Sequence, residues 1–213
     1  LGRKTADKNR TRNTRQKSGC FVAILIRMND DNETLSSRSQ GKHGLRREGP
    51  NYTADPVITR TNPAGNIEVR TILRRNGKRA LPGGFRDPIG TDEKGQVVFE
   101  DPKDAALREL GEEAGLTGIE HLPATIVYEG IVPDERSEGA PGSPGARWIE
   151  TAAVHIDVTG IPGMDTHWVG DEGASDARWD EVTDEFLDSM NANHGDIVRR
   201  AIAHMNQEKN EQA

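Results

Sequence analysis

The alternation of hydrophobic and polar positions divides the chain into short elements. Residues 19–28 hold a continuous apolar run over 21–26, the pattern of a short buried strand. Residues 29–44 are polar and read as a loop. Residues 49–60 open turn-rich on Gly49, Pro50 and Asn51 and close as a short strand. A turn at Asn62-Pro63-Ala64-Gly65-Asn66 leads into 67–74, where Ile67, Val69, Thr71 and Leu73 share one side. Asn76-Gly77 is a strong short hairpin signal and joins that strand to 78–81, which runs into Gly83-Gly84.

Helix signals cluster next. Asp101 or Asp104 suits the cap, Pro102 the first turn, and Gly115 a left-handed end with Leu116 packing back. Ala105, Ala106, Leu107 and Leu110 supply the apolar face. Gly111 inside this helix costs about 1 kcal/mol relative to Ala, which predicts the close approach of another backbone. Strands follow at 125–132, with Ile126 and Tyr128 opposite Val127, and at 147–158, separated by a loop rich in Gly, Pro and Ser. Trp179 is read as core, and Trp148 as core ahead of a ring that stacks on a base. Val182, Phe186 and Leu187 lead into an apolar seam. Ile197, Val198, Ala201, Ile202 and Met205 recur at helical spacing and predict a helix over 196–205.

Length and charge narrow the class. The chain has 213 residues, enough for one fair-sized domain or one domain with a small addition. A net charge of −7 argues against a nucleic-acid partner, which calls for a basic field. The single cysteine, Cys20, excludes a disulfide framework within one chain. The longest apolar run is far too short to span a membrane, so a cytoplasmic location is the default expectation. The first seventeen residues carry seven basic residues and one acid and lack the cleavage pattern of a secretory signal.

The chemistry gathers between Gly83 and Leu116. Glu109, Glu112 and Glu113 stand at i, i+3 and i+4 and share one helical face. Like charges so placed destabilise a helix unless neutralised; a hard cation held by carboxylates, such as Mg2+, also tends to touch substrate phosphates. A solvated acidic face is the plainer reading. Gly83-Gly84 after a strand gives a tight turn with bare N–H groups, and an ordinary turn is the plainer reading there too.

Arg108-Glu109-Leu110-Gly111-Glu112-Glu113-Ala114-Gly115-Leu116 resembles the second half of the signature box of the Nudix hydrolase superfamily. Glu100 stands at the expected distance before Arg108, and Gly84 resembles the box's opening glycine. Fifteen residues separate Gly84 from Glu100, about ten more than the family pattern holds, which reads as a longer surface loop within 87–97. Residues 49–60 resemble the stretch that precedes the catalytic domain in the human-type (mitochondrial) ADP-ribose pyrophosphatase branch, with Thr61 where that branch has Trp. Asp134-Glu135-Arg136 resembles its Asp-Pro-Arg loop, and His194 matches a histidine at the start of its last helix.

The resemblance implies an α/β fold, the Nudix α/β/α sandwich with a mixed sheet, preceded by a small N-terminal region. The expected organisation is a flexible basic arm at 1–18, a small region at 19–60 packing on the catalytic domain, the Nudix domain at 61–206 and a polar tail at 207–213. It implies Mg2+-dependent hydrolysis of ADP-ribose to AMP and ribose 5-phosphate, with Mn2+ as a substitute metal. Glu109, Glu112 and Glu113 would hold metal. Arg108 would orient Glu100 by a bidentate pair. Gly83, Gly84, Arg136, Asp171, Glu172 and His194 would face the substrate. Glu113, Asp171 and Glu172 remain alternatives for the general base. Other nucleoside diphosphate derivatives, and a non-hydrolytic ADP-ribose-binding module, are the competing readings. The expected partner is a small nucleotide, with no nucleic acid and no membrane, and monomer and homodimer are both open.

Overall fold

Gly49–Thr61 forms one thirteen-residue strand, β1, and the sheet is built outward from it. The computed structural model describes residues 45–165 and 175–211. The readings for 1–44, including the basic arm and the apolar run at 21–26, and those for Asp171 and Glu172, lie outside the described residues.

The remaining strands are β2 (Ile67–Leu73), β3 (Arg79–Ala80), β4 (Gly84–Phe85), β5 (Pro88–Thr91), β6 (Val97–Phe99), β7 (Thr125–Val132), β8 (Arg147–Asp157) and β9 (Ser175–Glu181). The helices are α1 (Pro102–Ala114), α2 (Asp184–Ser189) and α3 (His194–Glu211). The main sheet runs β3-β2-β1-β8-β7, with β4 also on β1 and β9 on β2. β1 and β8 are parallel from Gly49↔Arg147 to Thr59↔Asp157, whereas the other pairs are antiparallel, so the sheet is mixed.

Strand periodicity sends alternate residues to opposite faces, and here both faces are covered. Ile58, Ile72 and Ile156 pack with Leu110 and Ala114 of α1. Val57, Val69 and Ala153 pack with Leu187 of α2 and Ile197, Val198 and Ala201 of α3. This is the mixed sheet between helices that the sequence led us to expect. Among the described residues no helix is long and apolar enough to cross a membrane.

Several expectations are corrected. Residues 49–60 are strand throughout, and the boundary expected between 60 and 61 falls inside β1, so this stretch is the centre of the sheet rather than a separate region. Its Gly, Pro and Asn are tolerated because β1 is paired on both sides and positioned by tertiary contacts. The inserted stretch is a hairpin of its own, β5 on β6. It is fastened at its base, where Tyr52 meets Phe99 edge-on with ring centres 5.3 Å apart. A bulge between Ile126 and Tyr128 breaks the alternation of β7, so Val127 and Tyr128 both pack on the α3-side core. Trp148 is only partly buried and donates from Nε1 to Glu150 at 2.7 Å. Trp179 packs at the margin of the α1-side core. α3 continues to Glu211, well into the expected polar tail. A Cβ on Gly111 would meet the Thr117 methyl at 3.5 Å and the Leu116 carbonyl oxygen at 4.0 Å, both ordinary contacts, so no close backbone approach accounts for that glycine.

Candidate active site

β1 changes its neighbour midway. It pairs with β4 through Thr53 and Ala54 and with β2 through Thr59–Thr61. Pro56, which has no N–H to donate, lies between the two stretches. The fork opens a cleft of about 820 Å³ lined by Thr53, Asp55, Arg74, Gly83, Gly84, Phe85, Asp134, Arg136, Asn191 and His194 among others.

α1 borders the fork from behind the glycines. Asp101 accepts the Lys103 N–H at its N-terminus, Pro102 opens the first turn, and Gly115 closes it at φ 63° with its N–H on the Leu110 carbonyl. This fixed register places Arg108 and the three glutamates against the Gly83-Gly84 turn. Gly84 is required there: a Cβ would stand 2.5 Å from Cδ of Glu109. At Gly83 (φ 153°) a Cβ would stand 2.8 Å from the Ala54 carbonyl oxygen.

Arg108 is the hub. Its Nε and Nη2 donate to the two oxygens of Glu100 at 3.1 and 2.9 Å. Nη1 donates to Glu109 at 2.7 Å and to Glu112 at 3.3 Å, and Nη2 also reaches the Phe85 carbonyl at 2.9 Å. Glu100 further accepts the Asp87 N–H at 3.0 Å, so the base of the inserted hairpin is tied to the same carboxylate. The Arg108 pair holds Glu100 below the usual carboxylate range. Burial raises Glu109, against the pull of Arg108. Burial likewise raises Glu113, although the Gly83 N–H donates to it at 2.9 Å.

The three carboxylates share a helical face but do not converge. Arg108 takes Glu109 and Glu112, and Gly83 takes Glu113. Among the described residues no three His, Cys, Asp or Glu side chains form a metal-ligand cluster. The donor chemistry nevertheless suits a hard cation: the set is all carboxylate oxygen, and Glu109 and Glu113 are pushed toward protonation by burial and by neighbouring carboxylates. Glu112, whose side chain is 60% exposed, is free to turn.

The far wall of the cleft carries Asp134, Arg136 and His194. Arg136 grips Asp134 through Nε and Nη2 at 2.7 and 2.8 Å, and burial notwithstanding, that pairing holds Asp134 below its ordinary range. His194 accepts the Leu81 N–H on Nδ1 at 2.9 Å. Burial lowers its pKa, so the ring is neutral with its proton on Nε2. Ala192, with φ 48°, is a strained non-glycine position at the rim.

The structure therefore brings Gly83, Gly84, Arg136 and His194 to one cleft and sets Glu100, Arg108, Glu109, Glu112 and Glu113 along its glycine edge. Sequence reasoning missed Thr53, Asp55, Arg74 and Asn191. Asn51, Thr53 and Asp55 at period two in an otherwise apolar stretch were the available signal for the first pair. The guanidinium of Arg74 makes no ion pair with a described residue and was hidden beside the hairpin turn.

Comparison with known proteins agrees with this geometry. The sequence matches the NUDIX domain over residues 57–201. It is 30% identical over 174 residues to "Putative nudix hydrolase 6" of Caenorhabditis elegans, covering 77% of this chain and 60% of that protein. It is 31% identical over 185 residues to "ADP-ribose pyrophosphatase, mitochondrial" of Rattus norvegicus, covering 75% of this chain and 49% of that one. The chain thus spans about half to 60% of the length of these curated relatives. The NUDIX domain of Shewanella oneidensis NrtR, solved with ADP ribose, superposes with a TM-score of 0.51 at 17% identity over 82% of this chain and 98% of that one, a likeness of fold. A domain match over most of the described fold, and an arginine–glutamate hub on the helix where the signature residues fall, make this chain a member of the Nudix family.

Proposed function

We propose that this domain hydrolyses the pyrophosphate bond of a nucleoside diphosphate linked to a small group, with ADP-ribose as substrate and AMP and ribose 5-phosphate as products. The observation that carries the reading is the Arg108 hub. One guanidinium orders Glu100 and Glu109 and reaches Glu112 beside a glycine turn, and that turn opens on a cleft holding the uncommitted cation Arg74. The relation to a mitochondrial ADP-ribose pyrophosphatase supports the choice of substrate.

Glu109, Glu112 and Glu113 would hold Mg2+, with Mn2+ as a substitute. The bound metal would neutralise pyrophosphate charge and acidify a water. The chain's own part is positioning and electrostatics, which is most of what a protein adds to phosphoryl transfer. Gly83 and Gly84 let backbone and phosphate approach closely. Arg74 and Arg136 supply positive charge to the anionic groups, and Arg108 holds Glu100 ionised and aims Glu109. Glu113, or one of Asp171 and Glu172, would take the proton of an attacking water. Asp171 and Glu172 remain proposed contributors from the segment before β9.

Product analysis tests this. Purified protein would be incubated with ADP-ribose, ADP-glucose, diadenosine polyphosphates and a nucleoside triphosphate, with Mg2+ or with EDTA, and resolved by anion exchange. AMP and ribose 5-phosphate formed preferentially from ADP-ribose, and abolished by EDTA, is the expected result. Efficient cleavage of another substrate would refute the specificity. No cleavage at all, with ADP-ribose still bound, would refute hydrolysis.

A further inference from the structure

Asp55 is a charge with too few partners. Its residue is 8% exposed, yet among the described residues its carboxylate has one hydrogen bond, to Oδ2 from the Thr151 hydroxyl at 2.6 Å, and no ion pair. It lines the cleft, and its other oxygen lies against Gly83 on the cleft floor. A buried carboxylate served by a single hydroxyl is costly to keep. A ligand that fills the cleft must bring it a donor.

The chemistry of the surroundings narrows that donor. A phosphate cannot serve, because two anions repel at contact. A metal shared with the α1 glutamates fits poorly. The Gly83 N–H is already given to Glu113, and among the described residues no three His, Cys, Asp or Glu side chains form a cluster that Asp55 could join. The groups beside Asp55 on the sheet are hydroxyls: Thr53, which lines the cleft, and the buried Thr151, already committed to Asp55. His194, a neutral imidazole that lines the same cleft, feels the Asp55 charge. Hydroxyl and imidazole beside a carboxylate form a surface for polyol recognition, while Arg74 and Arg136 serve the phosphates.

We infer that Asp55 accepts hydrogen bonds from the hydroxyls of the sugar joined to the terminal phosphate, and so selects sugar-linked nucleoside diphosphates over simple esters. This rests on the hydrolase reading above and adds to it the residue that reads the second half of the substrate.

The test compares wild type with Asp55→Asn, which keeps the side-chain shape and the Thr151 contact. ADP-ribose and the β-methyl ester of ADP, which has the same pyrophosphate and no second sugar, are assayed across a Mg2+ titration. A hydrogen bond to a charged group corresponds to about a ten- to hundredfold change. The expected result is that loss in kcat/KM for ADP-ribose, carried by KM, with the methyl ester changed less than about twofold and the Mg2+ half-saturation unmoved. An equal loss on both substrates, or a shifted Mg2+ half-saturation, would overturn the inference by assigning Asp55 to the phosphates or the metal. An unchanged variant would overturn it as well. Calorimetric titration of ADP-ribose into both proteins in EDTA reads the same contact without turnover. A wild type that binds but does not cleave would therefore sink the hydrolase reading, while the Kd ratio still decides the role of Asp55.

Discussion

Arg108→Lys is the sharpest probe of how the site is held together. The guanidinium makes five contacts, two of them to the carboxylate of Glu100. A lysine ammonium is a point charge without the planar fork and cannot span Glu100 and the Phe85 carbonyl while holding Glu109. The long bond to Glu112 counts for little, because that side chain is 60% exposed. Glu100 and Glu109 are 15% and 11% exposed at the side chain, so their bonds carry the energy. Two lost contacts, taken at the low end of about 1.5 kcal/mol each because Arg108 is partly exposed, place the destabilisation near ~3 kcal/mol. Urea unfolding of wild type, Arg108→Lys, Glu100→Gln and the double variant measures it. The cycle should return a coupling of at least ~1 kcal/mol. Turnover should fall with stability, since Glu109 loses its anchor. A single variant within ~0.5 kcal/mol of wild type together with a coupling below ~0.3 kcal/mol would refute the view of Arg108 as the hub.

Three other outcomes are expected. Glu112→Gln should lower turnover more than ~100-fold at saturating Mg2+ with its thermal midpoint unchanged, because the exposed Glu112 carboxylate takes only one long bond; product assays and thermal unfolding check both halves. Glu113 has a raised folded-state pKa, so the metal-free fold is stabilised by its protonation and loses that stability as pH rises through the raised value. Metal-free Glu113→Gln should therefore unfold at a higher temperature than wild type at about pH 7.5, and the gap should close near pH 4, as read by unfolding in EDTA. Gly83→Ala should destabilise the fold by about 1–3 kcal/mol because the added Cβ meets the Ala54 carbonyl and Asp55 Cα at 2.8 and 3.1 Å. Gly84→Ala, whose Cβ meets the Glu109 carboxylate, should push that carboxylate off Arg108, cost the ~1.5 kcal/mol of that bond and lose activity.

Local signals settled a good part of this molecule. The cap, proline and terminal glycine of α1 are short-range chemistry, and they fixed the helix and the spacing of Arg108, Glu109, Glu112 and Glu113 before any tertiary contact was known. The Asn76-Gly77 turn, with Gly77 at φ 78°, and the strand at Thr125–Val132 were legible for the same reason. The bidentate partner of Arg108 was anticipated by resemblance, and its geometry came from the structure.

What the sequence by itself determined is the local inventory: an acidic helix, a glycine turn, a hairpin and the family to which they point. What only the tertiary structure decided is how distant pieces meet. Gly49–Thr61 looks irregular along the chain and becomes the central strand because β8, about a hundred residues away, pairs with it in parallel, a contact whose closure entropy no local pattern reports. The same fork turns Thr53, Asp55, Arg74 and His194, scattered over the sequence, into the walls of one cleft. The division of the glutamates between Arg108 and Gly83 was likewise invisible beforehand, since helical spacing fixes which face a side chain leaves from, while burial and hydrogen-bond competition decide where its charge comes to rest.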